Sequence, residues 1–315
     1  PIPNKNDEDY GDVHAVNYTK DFLNKEHLKP FFFASGIYKP HLPWHVPQKY
    51  FDTYPIEEII IPPKIDNDLD DLPSIGKELA KKRSKDYFTI KNSGKIKYAI
   101  QAYLASISFA DDQVGRILEV LEKSKYSKNT IVILWSDHGW HLGSKDHWHK
   151  GTLWEESTRI PFIIKAPNSR GNGNKCHRPV DMVNVFPTLI SLCKLNPKSD
   201  LDGYDMSSLL TNPDSNWNYP AITEFGKGNV SVRSEKWRYI RYSDGSEELY
   251  DLENDPYEWK NVEKDEIMAK VKYDHSIWVP KVFKSAVPGK NAFYFDPYKY
   301  TFLNRKTKDF IDGHE

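Results

Sequence analysis

The sequence predicts an α/β protein built on a mostly parallel sheet, joined to a smaller C-terminal α+β subdomain built on an antiparallel sheet. Three observations carry this. A helical stripe at 95–123 is followed by the apolar, β-branched run TIVILWS (130–136) and then by IPFIIKAP (160–167). Alternation of helix with fully apolar strand is the pattern of βαβ units. Past Asn212 the texture changes to short runs, VSVRS, WRYIRYS and EELYDL, around an Asp244-Gly245 turn, which is an antiparallel hairpin signal. With 315 residues, 38% hydrophobic and 14% aromatic, the chain can bury a core in two lobes. The expected division is 1–212 for the larger α/β domain and 213–315 for the subdomain and tail.

Taken in order, residues 12–28 form a weakly amphipathic helix. Lys29-Pro30 then leads into FFFASG, an apolar run bounded by Pro and Gly that suits a buried strand. In KPHLPWHVPQKYFDTYP, prolines at 40, 43, 47 and 55 forbid regular structure and predict a stiff loop at the strand's end. The polar stretch 56–94, with Asp66, Asp68, Asp70 and Asp71 followed by Lys81, Lys82 and Arg83, reads as irregular surface. From 95 to 123, Ile96, Ile100, Tyr103, Leu104, Ile107, Ala110, Val114, Ile117, Leu118 and Leu121 recur at helical spacing. VDMVNVFPTLISLCKL (180–195) predicts a helix with Pro187 near its first turn, and 261–315 reads as polar, aromatic and irregular.

The formal charge of −1, from 44 basic and 45 acidic residues, provides no net field to draw the chain to nucleic acid or an anionic membrane. Any anionic substrate must be met by local cations. No apolar run approaches the roughly 20 residues needed to span a bilayer. The nine Trp and nineteen Tyr suit cores and sugar platforms alike. Cys176 and Cys193 lack any ligand spacing. The N-terminus PIPNKNDEDYGD has neither a basic n-region nor an h-region and reads as an entry into the middle of a longer protein.

The densest polar cluster is SDHGWHLGSKDHWHKGTLWEESTR, starting at the C-terminal end of the TIVILWS strand, the edge where ligands bind in open α/β sheets. Asp137 and His138 are adjacent and followed by Gly139, where the backbone is expected to turn, so both side chains can point from a strand tip at one ion. An Asp-His pair also serves as a turn or cap.

That stretch resembles the core of type I, formylglycine-dependent sulfatases of the alkaline-phosphatase superfamily, closest to the iduronate-2-sulfatase branch. FFFASGIYKPHLPWHVP, YLASISFADDQVGRILEVL, VDMVNVFPTLISL and ELYDLENDPYEWKNV resemble further stretches of that branch in the same order, over roughly 12–262. The resemblance implies an alkaline-phosphatase-like sheet sandwiched by helices, and a sulfuric ester hydrolase acting on a sulfated carbohydrate such as a uronate 2-sulfate or an algal polysaccharide. It assigns Asp137 and His138 to a divalent metal, usually calcium, although imidazole is an awkward ligand for that hard ion. Lys150 matches the lysine that contacts the ester sulfate, where an ammonium offsets developing charge. His41 matches the histidine that faces the sulfate and protonates the leaving alcohol, a task suited to imidazole. His147, Trp148 and His149 are candidate substrate-binding residues, with Trp148 as core the equal alternative. Ser144 stands where many relatives have Glu.

The family nucleophile is a formylglycine made within Cys-x-Pro/Ala-x-Arg. Cys176 lies in CHRPV and Cys193 in CKLNP, so the motif does not occur here. The expectation is that the nucleophile and the other metal ligands belong to a missing N-terminal segment, a partner of this chain, and that the chain alone is inactive. A periplasmic or secreted location, or a lysosomal one in a eukaryote, follows by resemblance. The alternatives are a phosphoester or phosphonate hydrolase of the same superfamily and a non-catalytic glycan-binding pseudoenzyme.

Overall fold

The computed structural model describes residues 7–283, 293–296, 298–299 and 301–312. Helix α1 (Gly11–Leu23) is four residues shorter than its pattern suggested, ending at Leu23 with Asn24 as its cap rather than reaching 28. Val13 and Val16 are buried, and Val13 joins Tyr10, Val46, Phe109 and Ala105 in one core. Short α2 (Gln48–Asp52) adds Tyr50 and Phe51 to that core from within the proline loop.

FFFASG does not form a strand. It runs extended without a ladder partner, Phe31 and Phe33 packed on Phe22 at 5.0 and 4.4 Å while Phe32 is 82% exposed. A strand needs a neighbour to take up its backbone hydrogen bonds, and among the described residues no strand pairs with this segment, although Phe31 packs in one cluster with Val132 of the first strand.

The polar stretch 56–94, expected as irregular surface, folds into α3 (Ser74–Lys81) and α4 (Ser84–Asn92), and buries Asp68, Leu72, Leu79, Ala80 and Tyr87. Its charges misled the reading because several are paired inward. Helix α5 (Ile96–Lys123) matches its predicted span and packs on α1 and α2, but its buried face runs through Ile100, Ala105, Ser106, Phe109, Gln113 and Leu121, while Ile107 and Leu118 of the predicted stripe are exposed.

Strand β1 (Val132–Trp135) leads to a small hairpin of β2 (His141–Leu142) and β3 (Trp148–His149), then α6 (Glu155–Thr158) and β4 (Phe162–Lys165). β1 and β4 pair with each other, antiparallel, Val132 opposite Lys165 and Trp135 opposite Phe162. Parallel ladders do not occur among the described residues, although the α/β class itself is borne out by the likeness to solved structures given below. Leu134, Trp135 and Ile163 leave this sheet with an exposed apolar surface.

Helix α7 (Val185–Leu192) has Pro187 in its first turn, as expected, and α8 (Ser207–Thr211) follows. The expected hairpin is part of a four-stranded antiparallel sheet in the order β5 (Ala221–Glu224), β6 (Val230–Arg233), β7 (Trp237–Arg241), β8 (Glu247–Asp251). Val230, Val232, Tyr239 and Leu249 pack against Val279 on one face. Ile240, Tyr242 and Tyr250 pack against Leu153 and Trp154 of the histidine loop on the other. The tail is more regular than expected, with α9 (Ala269–Ser276) and a sheet of β9 (Phe293–Asp296), β10 (Thr301–Asn304) and β11 (Phe310–Asp312). No helix among the described residues is long and apolar enough to cross a membrane.

Candidate active site

Asp137 and His138 follow β1 directly. Gly139 is required there by close approach rather than by a turn. A Cβ would lie 2.1 Å from the Glu156 carbonyl oxygen, while the Gly139 N–H donates to Ser157 O at 2.8 Å. His138 Nδ1 lies 2.8 Å from Gly139 O, and a carbonyl only accepts, so Nδ1 carries the proton and the Nε2 lone pair is free. That Nε2 is 3.7 Å from Asp137 Oδ1, and the Asp137 side chain is 85% exposed. Two donors therefore converge on one open point. Calcium takes about six to eight oxygens, and among the described residues no group of three or more His, Cys, Asp or Glu is arranged to hold an ion. The pair fits one part of a metal site and not a whole one.

His41 sits in a tightly fastened loop. The buried Asp12 carboxylate accepts from the N–H groups of Tyr38 (2.7 Å) and Lys39 (3.1 Å), and Trp44 Nε1 donates to Pro40 O at 2.7 Å. His41 Nδ1 lies 2.7 Å from Leu42 O, so it is the donor and Nε2 is left for proton exchange. Trp44 ties this loop to the histidine loop, its ring 5.7 Å from Trp140 and 6.2 Å from Trp148.

Trp140 is the hub of the cluster. His138 lies 6.2 Å from it, His149 is edge-on at 4.8 Å, and Lys150 Nζ is 5.8 Å from its ring centre, within cation–π range. Among the described residues Lys150 has no carboxylate within ion-pair distance, so its charge is free for an anion.

The remaining candidates divide. Trp148 is 1% exposed, packed among Trp44, Tyr87 and Ile100, so it is core and offers no face to a sugar. His147, also 1% exposed, is a strut between helix and loop: Nδ1 donates to Ala80 O at 2.8 Å, and burial pushes its pKa down. Both corrections have one cause, since His147 is bonded to α3 and β3 lies against α4, with these two side chains inward. His149 faces the site, with Nε2 3.0 Å from Asp86 Oδ2. Burial lowers its pKa while Asp86 partly opposes that.

Sequence reasoning missed the residues that hold this loop. Lys145 is buried in an ion pair with Asp68, and Asp146 is paired with Lys64. With Ala80 O and Asp86, the 64–86 segment thus grips residues 145, 146, 147 and 149 in turn. On the far side, buried Arg238 of β7 bonds Leu153 O (3.1 Å) and pairs with Glu155 and Glu258. Burial pushes the Glu258 carboxyl up to about 7 despite that guanidinium. Trp154 Nε1 donates to Glu248 at 2.8 Å. Fully buried His141 bridges the Ser144 and Thr152 hydroxyls, each at 2.7 Å, and Glu156, its carboxyl pushed up chiefly by burial, also bonds Ser144. Ser144 is thereby fixed by the loop's own groups. Nothing in the sequence marks Asp68 among its acidic neighbours as the one that turns inward.

The architecture is the α/β fold common to sulfatases and phosphonate monoester hydrolases. One solved structure, in complex with D-glucosamine-2-N,6-O-disulfate, matches with a TM-score of 0.68 at 21% identity, covering 86% of this chain and 68% of that one. The phosphonate monoester hydrolase of Agrobacterium radiobacter matches with a TM-score of 0.70 at 20% identity, covering 96% and 66%. A sulfatase family profile matches residues 2–195, and one for the C-terminal part of N-sulphoglucosamine sulphohydrolase matches 143–278. The chain belongs to the sulfatase family. A sulfatase of Formosa agariphila is 39% identical over 309 residues, covering 96% of this chain and 59% of the relative. An ulvan-active sulfatase of the same organism is 27% identical over 268 residues, covering 80% and 48%. Human iduronate 2-sulfatase is 29% identical over 205 residues, covering 54% and 37%. The chain thus spans about half the length of the curated relatives it matches.

Proposed function

We infer that this chain is the part of a carbohydrate sulfatase that supplies the cationic wall and leaving-group acid of the site, with two of its metal donors. The observation that carries the reading is the unpaired Lys150 ammonium held over Trp140 beside the convergent Asp137–His138 pair. Lys150 binds the ester sulfate and offsets the charge that builds on it as the S–O bond breaks. His41, held by its Nδ1 bond to Leu42 O, protonates the leaving alcohol from Nε2. His149, oriented by Asp86, adds a hydrogen bond to the substrate.

Sulfatases work with a divalent metal and a formylglycine nucleophile. In this reading the metal is calcium, and the nucleophile and remaining ligands come from a further segment that packs on the exposed apolar surface of β1 and β4, beside extended FFFASG. The chain's coverage of only 59% of the Formosa agariphila sulfatase supports such a segment. The substrate is a sulfated polysaccharide of the uronate-containing kind, in keeping with the ulvan-active relative. The protein acts in the periplasm or outside the cell, or in the lysosome of a eukaryote. The division between the catalytic α/β part and the C-terminal subdomain lies near Asn212.

The test is calorimetric binding of a uronate 2-sulfate monosaccharide to the chain and to Lys150→Ala. Saturable binding lost in the variant supports the reading. Equal binding by the two proteins supports a glycan-binding pseudoenzyme instead, and preference for a phosphonate monoester supports the phosphonate hydrolase alternative.

A further inference from the structure

Lys150 is flanked by features that neither the metal pair nor His41 uses. The turn joining α3 to α4 carries Lys81, Lys82 and Arg83, all exposed. It is pinned to the histidine loop by the His147–Ala80 bond. Among the described residues neither Lys82 nor Arg83 has a carboxylate within ion-pair distance, whereas fifteen lysine and arginine ion pairs satisfy other charges. Arg83 is near enough for its charge to depress the pKa of both His147 and His149.

From the other side comes Phe225, just past the end of β5. Its ring covers Gly151, the residue after Lys150: a Cβ there would lie 3.1 Å from Phe225 Cζ, and Gly151 has φ +91°. Lys82 Nζ lies 5.9 Å from the same ring centre, and Phe225 remains 36% exposed. A partly exposed aromatic ring and two cations of different donor geometry, neither paired with a carboxylate among the described residues, therefore border the residue that follows Lys150. An aromatic face suits the apolar side of a sugar ring, and the guanidinium fork suits a carboxylate or sulfate.

We propose that Phe225, Lys82 and Arg83 form a second subsite beside Lys150, taking the sugar next to the sulfated one through its ring face and an anionic substituent, sulfate ester or carboxylate. The subsite rests on the sulfate-binding reading of Lys150 and adds to it a preference for chains that carry charge on consecutive sugars. Both cations lie at the surface, so the preference weakens as salt rises.

The test is titration calorimetry at low salt on the full chain, with three disaccharides of a 2-sulfated uronate. The neighbouring sugar is N-acetylglucosamine, its 6-sulfate, or its C6-carboxylate form. The wild-type chain is expected to bind the two substituted ligands about ten-fold more tightly than the first. Lys82→Ala/Arg83→Ala removes that advantage and leaves the unsubstituted ligand within two-fold. Phe225→Ala weakens all three and Phe225→Trp restores them, with circular dichroism checking that each variant folds. An advantage absent from wild type, or kept by the double variant while Lys150→Ala still abolishes binding, overturns the subsite and leaves the Lys150 reading standing. Binding of all three ligands that is indifferent to Lys150→Ala, or no binding of any, overturns both.

Discussion

Removing the Asp68 carboxylate should cost more stability than any single surface change in the molecule. Asp68 and Lys145 have side chains 2% and 1% exposed, and Asp68 also accepts the Lys145 backbone N–H at 3.0 Å. In Asp68→Ala the ammonium keeps, among the described residues, the carbonyls of residue 68 (3.4 Å) and Glu258 and the rings of Trp154 and Tyr250, but no paired carboxylate. At about 3 Å and an effective dielectric of about 20, the lost attraction is about 5 kcal/mol, and breaking one partner from a buried pair costs about 3–5 kcal/mol. Against a total stability of about 5–15 kcal/mol, that brings the variant close to unfolding. Lys145→Met added to Asp68→Leu removes both charges together and is expected to recover most of the loss. Guanidinium unfolding followed by tryptophan fluorescence and circular dichroism measures all the variants. A cost below about 1 kcal/mol for Asp68→Ala, or no recovery in the double variant, refutes the argument that this pair braces the Lys150 loop.

Other predictions follow from the same geometry. Trp148→Ala, which empties a core position rather than a sugar contact, is expected to cost about 3–5 kcal/mol in the same unfolding assay; a near-neutral result would return Trp148 to the substrate wall. His141 has its pKa pushed well below 6.5 by burial first and then by the charges of His147 and Lys145. A base with a depressed folded pKa loses stability as pH falls below its unfolded value. The gap between wild type and His141→Gln should therefore narrow by about 1.4 kcal/mol per pH unit below about 6.5. Urea midpoints between pH 7.5 and 5.5 check this, and a constant gap contradicts it. Calcium titrated into the chain is expected to bind no more tightly than about millimolar, since two donors leave most of the ion's shell to water; micromolar affinity would mean that further ligands have been overlooked.

The helices α1, α5 and α7 were legible from apolar residues at helical spacing, and the β6–β8 sheet from short strand-forming runs around the Asp244-Gly245 turn; the strands are buried at consecutive positions rather than alternate ones because both faces of the sheet are covered. The candidate residues were legible where they are local: Asp137 and His138 adjoin in sequence, and Lys150 follows them within one loop. Non-local pairings were hidden. Asp68 with Lys145, Asp86 with His149, and Arg238 with Glu258 join segments far apart in the chain, and a lone Asp or Lys in a polar stretch looks like solvated surface until its partner is known. Trp148 was ambiguous for a related reason, since an indole suits a core and a sugar equally until the fold shows which way β3 faces. FFFASG has the composition of a strand, but composition does not supply the neighbouring strand that hydrogen-bonding requires.

The central claim, that His41, Lys150 and the Asp137–His138 pair are one half of a sulfate ester site, is tested most directly by turnover. The chain would be fused to the N-terminal part of the Formosa agariphila sulfatase, expressed in a host that makes formylglycine, and assayed on a 2-sulfated uronate disaccharide beside the chain alone. The account predicts hydrolysis by the fusion, a loss of about a hundred-fold or more with Lys150→Ala or His41→Ala, and none by the chain alone. Turnover by the 315-residue chain without the added segment, or a fusion as active with Lys150→Ala as without it, would contradict it.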